Sequence, residues 1–167
     1  MSKIASFFLG ETPDAFGRYF DSFLEYSPFW LEHDHKYIQL LFPIDSGTKF
    51  NRHAPLVTDE DRAQFAGSAT LQKRHLQALD LLLGFWGLIR HGEQVSSNKP
   101  LSPADHVWLK RQDHNQLRIT RAIRSLSLLG NHAVATSLAE CVIAAGLQFD
   151  SVSDTTLEFW RSALLTD

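Results

Sequence analysis

The sequence of 167 residues contains a single cysteine, Cys141. No internal disulfide can form, and the thiol falls in an apolar stretch of helical spacing, so it reads as a small buried hydrophobe in a reducing compartment. Basic excess is missing too: 16 Lys and Arg face 19 Asp and Glu, a formal net charge of −3. That balance excludes a general nucleic-acid binder, which carries a strong positive excess. No apolar run approaches the roughly 20 residues needed to cross a bilayer. The N-terminus, with one Lys and a short apolar run before Glu11, is a poor signal peptide. A cytoplasmic protein with no membrane span is expected. Sustained period-two alternation, internal repeats, low-complexity tracts and linkers are also missing. Residues 1–167 are therefore expected to form one all-α domain, a compact helical bundle.

The motifs of common catalysis are missing as well. There is no GxSxG, GxGxxG, phosphate loop, HExxH or CxxC. The acids Asp59, Glu60 and Asp61 are explained by the positive end of a helix dipole. Eight histidines are present, but His33 and His35 bracket Asp34 at a spacing that puts them on different sides of a helix. Only folding could bring His53, His75, His91 or His106 to join them. Neither a metal nor another cofactor is expected, and no enzymatic activity. His75 lies on an apolar stripe and reads as a core residue.

Aromatic residues are abundant, with 12 Phe and 4 Trp, which predicts a core built on rings. Thr12-Pro13-Asp14 has the chemistry of a helix start. Phe16, Tyr19, Phe20, Phe23 and Leu24 then follow at three- and four-residue spacing as one buried stripe. A short helix is expected from Pro28 to Glu32, and another from about Lys36 to Phe42, capped by Asp34. Residues 43–57 read as an irregular ordered loop. Thr58 opens a short helix and Ser68 caps a long one. There Leu71, His75, Leu79, Leu82, Trp86 and Ile89 mark a central pillar of about 22 residues and ~33 Å. Gly84 and Gly87 within it are expected to let another backbone come close. Ser102-Pro103-Ala104-Asp105 repeats the helix-start chemistry before Val107, Trp108 and Leu109. Asn131 caps a helix running from Ala133 to Ala145 and closed by Gly146, and Ser153 caps the last one.

The segment from His114 to Gly130, capped by Asp113, carries Ile119, Ala122, Ile123 and Leu126 on one face. Arg118, Arg121 and Arg124 step along the other, interrupted by Leu117 and Leu128. A helix apolar on one face and half-apolar on the other is covered on both sides, so its guanidinium groups need partners. In a structural reading they reach carboxylates such as Glu32, Asp34 or Asp80. In a functional reading they line a groove for an anionic group such as a phosphate or a peptide carboxylate. The structural reading is preferred, because most arginines in compact domains are paired or solvated.

Three segments together resemble the conserved domain of the opioid growth factor receptor family. They are Trp30-Leu-Glu-His-Asp-His-Lys-Tyr-Ile-Gln-Leu-Leu-Phe-Pro43, Leu82-Leu-Gly-Phe-Trp-Gly87 and the segment from His114 to Gly130 with its Asn-x-Leu-Arg-Ile-Thr-Arg core. Each is short; their order and spacing make the conjunction specific, over about Glu25 to Ile143. Leu40 stands where the family motif has tryptophan. Vertebrate members are intracellular, nuclear-associated proteins that bind methionine enkephalin and restrain cell growth, and they carry a long repetitive tail. The resemblance thus implies a receptor-like domain, in a short, microbial form, and carries over no binding residues.

The expected function is a non-enzymatic binding or regulatory domain whose ligand is a peptide or protein segment. Its surface is placed near His35, Tyr37, Gln39, His114, Asn115, Arg118 and Arg121, which join the two most distinctive motifs. Two alternatives stand beside it. One is an unrecognised enzyme, metal-assisted through the histidines. The other is a structural homodimerising module using Trp108 or Trp160 as exposed contacts.

Overall fold

The computed structural model describes residues 1–47 and 54–165; His53 and the middle of the expected 43–57 loop lie outside the described residues. The chain is mostly helical. In order come α1 (Lys3–Phe8), α2 (Phe20–Leu24), α3 (Pro28–His33), α4 (Tyr37–Leu41), α5 (Asp59–Ala66), α6 (Ala69–Trp86), strands β1 (Ile89–His91) and β2 (Gln94–Ser96), a 3₁₀ turn at Val107–Leu109, then α7 (His114–Leu128), α8 (His132–Phe149) and α9 (Asp154–Ser162). The antiparallel β1–β2 hairpin, with His91 opposite Gln94, corrects the all-α expectation. Strands of three residues are too short to show alternation. Gly92 at φ +62° makes their two-residue turn.

Local cap chemistry explains most helix boundaries. Thr58 and Asp61 form a reciprocal capping box on α5. Ser68, Asp113 and Ser153 each accept a backbone N–H at the start of α6, α7 and α9. The long helix α6 has 18 residues and stops at Gly87, whose φ of +77° takes the chain out of the helix and into the hairpin. It is one turn shorter than its apolar periodicity predicts. Conversely α8 runs straight through Gly146 to end at Asp150. The glycine there is a packing device: a Cβ would stand 3.0 Å from Leu157 and 3.3 Å from Val152.

The N-terminal reading needs correction. Thr12-Pro13-Asp14 does not begin a helix, because Asp14 Oδ1 accepts the amides of Phe16 and Arg18 and folds the segment into a turn. Helicity is left to α2 alone, with Phe20 and Phe23 buried while Phe16 and Tyr19 face solvent. Asp34 does not cap α4 but accepts the amide of Lys36 just before it. The Ser102–Asp105 start leads only to the 3₁₀ turn.

The expected aromatic core is present. Trp86, Trp108 and Trp160 are buried together with Phe8, Phe20, Phe23, Phe42 and Phe65. Burial of the two tryptophans Trp108 and Trp160 overturns their reading as exposed dimer contacts. Each indole N–H is satisfied by a backbone carbonyl, of Trp86 and of Gln116 respectively. His75 is fully buried, its ring edge-on to Phe8 at 5.2 Å and tilted against Phe42 at 5.3 Å. Among the described residues α8 alone has the length and hydropathy of a bilayer-crossing helix. Its buried side packs on α7, α9 and the hairpin, where Ser137 Oγ accepts the amide of Val95 at 2.8 Å.

Candidate functional site

Two segments far apart in sequence meet at one seam: α3 with the start of α4, and the first turns of α7. Capping fixes α7 there, since Asp113 Oδ1 accepts the amide of Asn115 at 2.8 Å. Asn115 is itself buried, accepting from the indole of Trp86 at 3.3 Å and donating to Glu32 at 3.4 Å. One turn on, the guanidinium of Arg118 enters the end of α3. It donates to the carbonyls of Leu31 at 2.5 Å, Glu32 at 3.1 Å and Asp34 at 3.4 Å. Those are carbonyls that a short helix leaves open at its negative dipole end, where a cation is favoured.

Two side chains complete this arrangement. Arg118 also faces His35 Nδ1 at 3.2 Å; since the guanidinium only donates, that nitrogen accepts. Beneath lies Tyr37, fully buried, its ring 5.4 Å from the guanidinium carbon and its hydroxyl donating to Leu31 O at 2.6 Å. Burial raises the Tyr37 hydroxyl pKa against the opposing pull of Arg118, so it stays a neutral donor.

The solvent side of the seam is different. His114 Nε2 meets Glu32 Oε1 at 2.5 Å, with the two side chains 44% and 30% exposed. The His35 ring stands edge-on to His114 at 5.8 Å. This exposed pair separates two clefts. One, of about 570 Å³, is lined by Asp113, His114, Leu117, Thr120, Thr156 and Phe159 between α7 and α9. The other, of about 300 Å³, has Glu32, Phe85, Trp86, His106 and Val107 along its walls.

Of the seven residues expected to form a binding surface, His35, His114, Asn115, Arg118 and Tyr37 come together. Only His35 and His114 present accessible polar tips; Asn115, Arg118 and Tyr37 are buried and occupied by internal bonds. Gln39 is half-buried on α4, and no hydrogen bond among the described residues ties its side chain to the seam. Arg121 turns elsewhere. Its Nε donates to Phe42 O at 2.8 Å, and burial lowers its pKa to about 10. Arg124 forms a bidentate pair with Asp45 at 2.9 and 2.7 Å and also donates to Leu165 O.

The arginines are thus held internally, and of the expected partners Glu32 and Asp34 accept from Arg118 with main-chain carbonyls instead of carboxylates. Asp80 binds Arg90 through two bonds of 2.9 Å, Asp34 binds Tyr26 at 2.9 Å, and Glu32 goes to His114. The Glu32–His114 pair is the element that sequence reasoning missed, because the two residues lie 82 positions apart. At the C-terminal end of α6, Gly87 admits a side chain and not a backbone: its Cβ position is 2.6 Å from His106 Nε2. No set of three or more metal-ligating side chains occurs among the described residues.

Comparison with known proteins identifies the family. Residues 17–167 match the model of the opioid growth factor receptor conserved region. The mouse opioid growth factor receptor is 38% identical over 141 residues, covering 80% of this chain and 22% of the receptor. Opioid growth factor receptor-like protein 1 of Xenopus tropicalis is 32% identical over 136 residues, covering 80% of this chain and 25% of that protein. The human receptor is 37% identical over 103 residues, 60% of this chain and 15% of the receptor. The chain spans about a quarter or less of the length of these relatives. They are vertebrate, and the expected microbial form has no counterpart among them. No solved structure matches the chain. With the matched region covering both sides of the seam and all of α2 to α9, the chain belongs to the opioid growth factor receptor conserved-region family.

Proposed function

We propose that this chain is a non-enzymatic, cytoplasmic binding domain whose ligand is a peptide or a segment of another protein. One observation carries the reading: the exposed Glu32–His114 pair stands as a ridge between two clefts. A peptide backbone lying across it meets a donor and an acceptor at once. Leu117, 65% exposed, and Phe159, 49% exposed, form an apolar wall in the larger cleft for one of its side chains. His35 adds a second imidazole beside the ridge. Relatives named as receptors of an opioid growth factor support recognition of a peptide.

The single cysteine and the core histidine are set apart from the clefts. Cys141 is half-buried with its thiol pKa raised by burial, and His75 is sealed in the aromatic core. Neither lines a cleft beside the ridge. The lone thiol, which needs a reducing compartment to stay free, supports the cytoplasmic assignment.

Peptides selected from a random library on the immobilised chain test the proposal, with their site mapped by amide chemical shifts. Shifts should centre on residues 32, 35, 114, 117 and 159. His114→Ala and Leu117→Asp should each weaken binding about tenfold, the scale of a central interface contact. Selected peptides that leave those amides unmoved, or a library that yields no binder, would overturn it.

A further inference from the structure

A second surface lies on α3 at Phe29 and Trp30, which line neither cleft. Among the described residues five aromatic side chains are exposed, and four of them, Phe16, Tyr19, Phe29 and Trp30, fall within one stretch of 15 residues. The other aromatics of the described chain are at least partly buried. Ring contacts make the outer pair continuous with the core: Phe23 to Tyr26 at 5.2 Å, Tyr26 to Trp30 at 6.5 Å, and Trp30 to Phe29 at 5.3 Å and nearly perpendicular. Phe29 and Trp30, 60% and 54% exposed, thus form an open aromatic corner on a fixed support. Exposed rings gathered on one face of a compact domain mark a contact surface.

The sequence around that corner is acidic. Residues 11–34 hold six carboxylates against one arginine, Arg18, and no lysine. The rest of the chain carries a small positive excess, so this stretch accounts for the whole negative balance. Arg18 is spent on Asp14 and Asp34, Arg74 on Asp21 at 2.7 Å and His114 on Glu32, whereas Glu25, at the end of α2, is exposed and forms no ion pair among the described residues. The protein already uses this pairing of cation and ring on its own surface. The Arg18 guanidinium lies 5.6 Å and the Lys36 ammonium 5.3 Å from the Phe16 ring.

We infer that the Phe29–Trp30 corner and the acidic stretch around it dock a Lys- or Arg-bearing segment of a partner protein, distinct from the ligand of the clefts. An aromatic face attracts a cation, best on Trp, and the carboxylates draw the same charge from a distance. The guanidinium or ammonium would sit in the corner with its aliphatic stem on the rings.

Intrinsic fluorescence reads this out directly, because Trp30 alone of the four tryptophans is exposed; Trp86, Trp108 and Trp160 are at most 2% accessible. The probe is a short fluorescein-labelled peptide of alternating Arg and Leu, its control the Glu–Leu counterpart. The Arg peptide should bind, protect Trp30 from acrylamide quenching, and weaken steeply with added salt. Trp30→Ala and Glu25→Lys, both at exposed positions, should each weaken it about fivefold or more, while His114→Ala leaves it unchanged. Equal binding of the two peptides overturns the inference. So does Arg-peptide binding that neither variant alters, or burial of Trp30 in a self-association visible by light scattering. The last would assign the corner to a second copy of the chain.

Discussion

Arg118 donates to the carbonyl oxygen of Leu31 across 87 positions of sequence, and through that contact α7 closes the end of α3. Arg118 is 5% exposed and spends its fork on main-chain carbonyls. Removing it strands buried acceptors. Arg118→Ala should cost about 2–4 kcal/mol, as for a buried charged hydrogen-bond donor lost from its partners. Arg118→Lys should recover only part, since one ammonium cannot span three carbonyls. Urea unfolding of the three proteins measures both.

Arg121 should behave differently despite its place in the same stripe. Its pKa is lowered by burial, and among the described residues its side chain holds a single hydrogen bond, to Phe42 O. A half-buried charge with so little compensation is replaced at small cost by an apolar chain of similar length. Arg121→Met should change stability by less than about 1 kcal/mol, whereas Arg118→Met should be clearly destabilised. Equal losses in the two variants would contradict this division.

His75 gives the fold an acid-sensitive point. Burial among Phe8, Phe42 and Phe65 lowers its pKa from 6.5 to about 3. A lowered folded-state pKa means the unfolded chain binds the proton first. The stabilising neutral form is therefore fully effective above pH 6.5 and loses its advantage as pH falls from 6.5 toward about 3. Each unit within that window costs up to about 1.4 kcal/mol from this group. His75→Phe should flatten the dependence of stability between pH 7 and pH 5, read as urea midpoints at each pH.

Gly87 and Gly17 separate two costs of a side chain at positive φ. Both have left-handed backbone, φ +77° and +79°. A Cβ at Gly17 meets nothing within 4 Å, whereas at Gly87 it would lie 2.6 Å from the His106 ring. Gly17→Ala should cost about 1 kcal/mol from backbone strain alone. Gly87→Ala should cost distinctly more and disturb the His106 resonances. Thermal unfolding of the two variants, with an imidazole NMR signal as marker, checks the difference.

These contrasts also show which parts of the molecule were legible. Asp113, Thr58, Ser68 and Gly130 act on neighbours a few residues away, so their roles at helix ends are visible in the sequence. Asp14 illustrates the limit: the same residue type serves a helix start or a closed turn, and Gly17 at φ +79° decides for the turn. The hairpin was hidden because three residues per strand give no period. That Arg118 is internal was readable from Leu128 and the apolar face, whereas Leu117 misleads, since it is 65% exposed. The partners of the arginine stripe were not readable, because Leu31, Glu32 and Phe42 accept with main-chain oxygens, which every residue has. The Glu32–His114 ridge needed the two halves of the seam to be in place.

None of α1 to α4 exceeds six residues, far below the length at which an isolated helix holds its shape in water. Their form is borrowed from what they rest on: Arg74 of α6 reaching Phe8 O, Arg118 and Arg121 of α7 reaching Leu31 and Phe42. The first 42 residues should therefore acquire structure late, as a coat laid over a frame built by α6, α7 and α8. Their amides should exchange with solvent together and ahead of the frame, through an opening that leaves the rest of the domain standing.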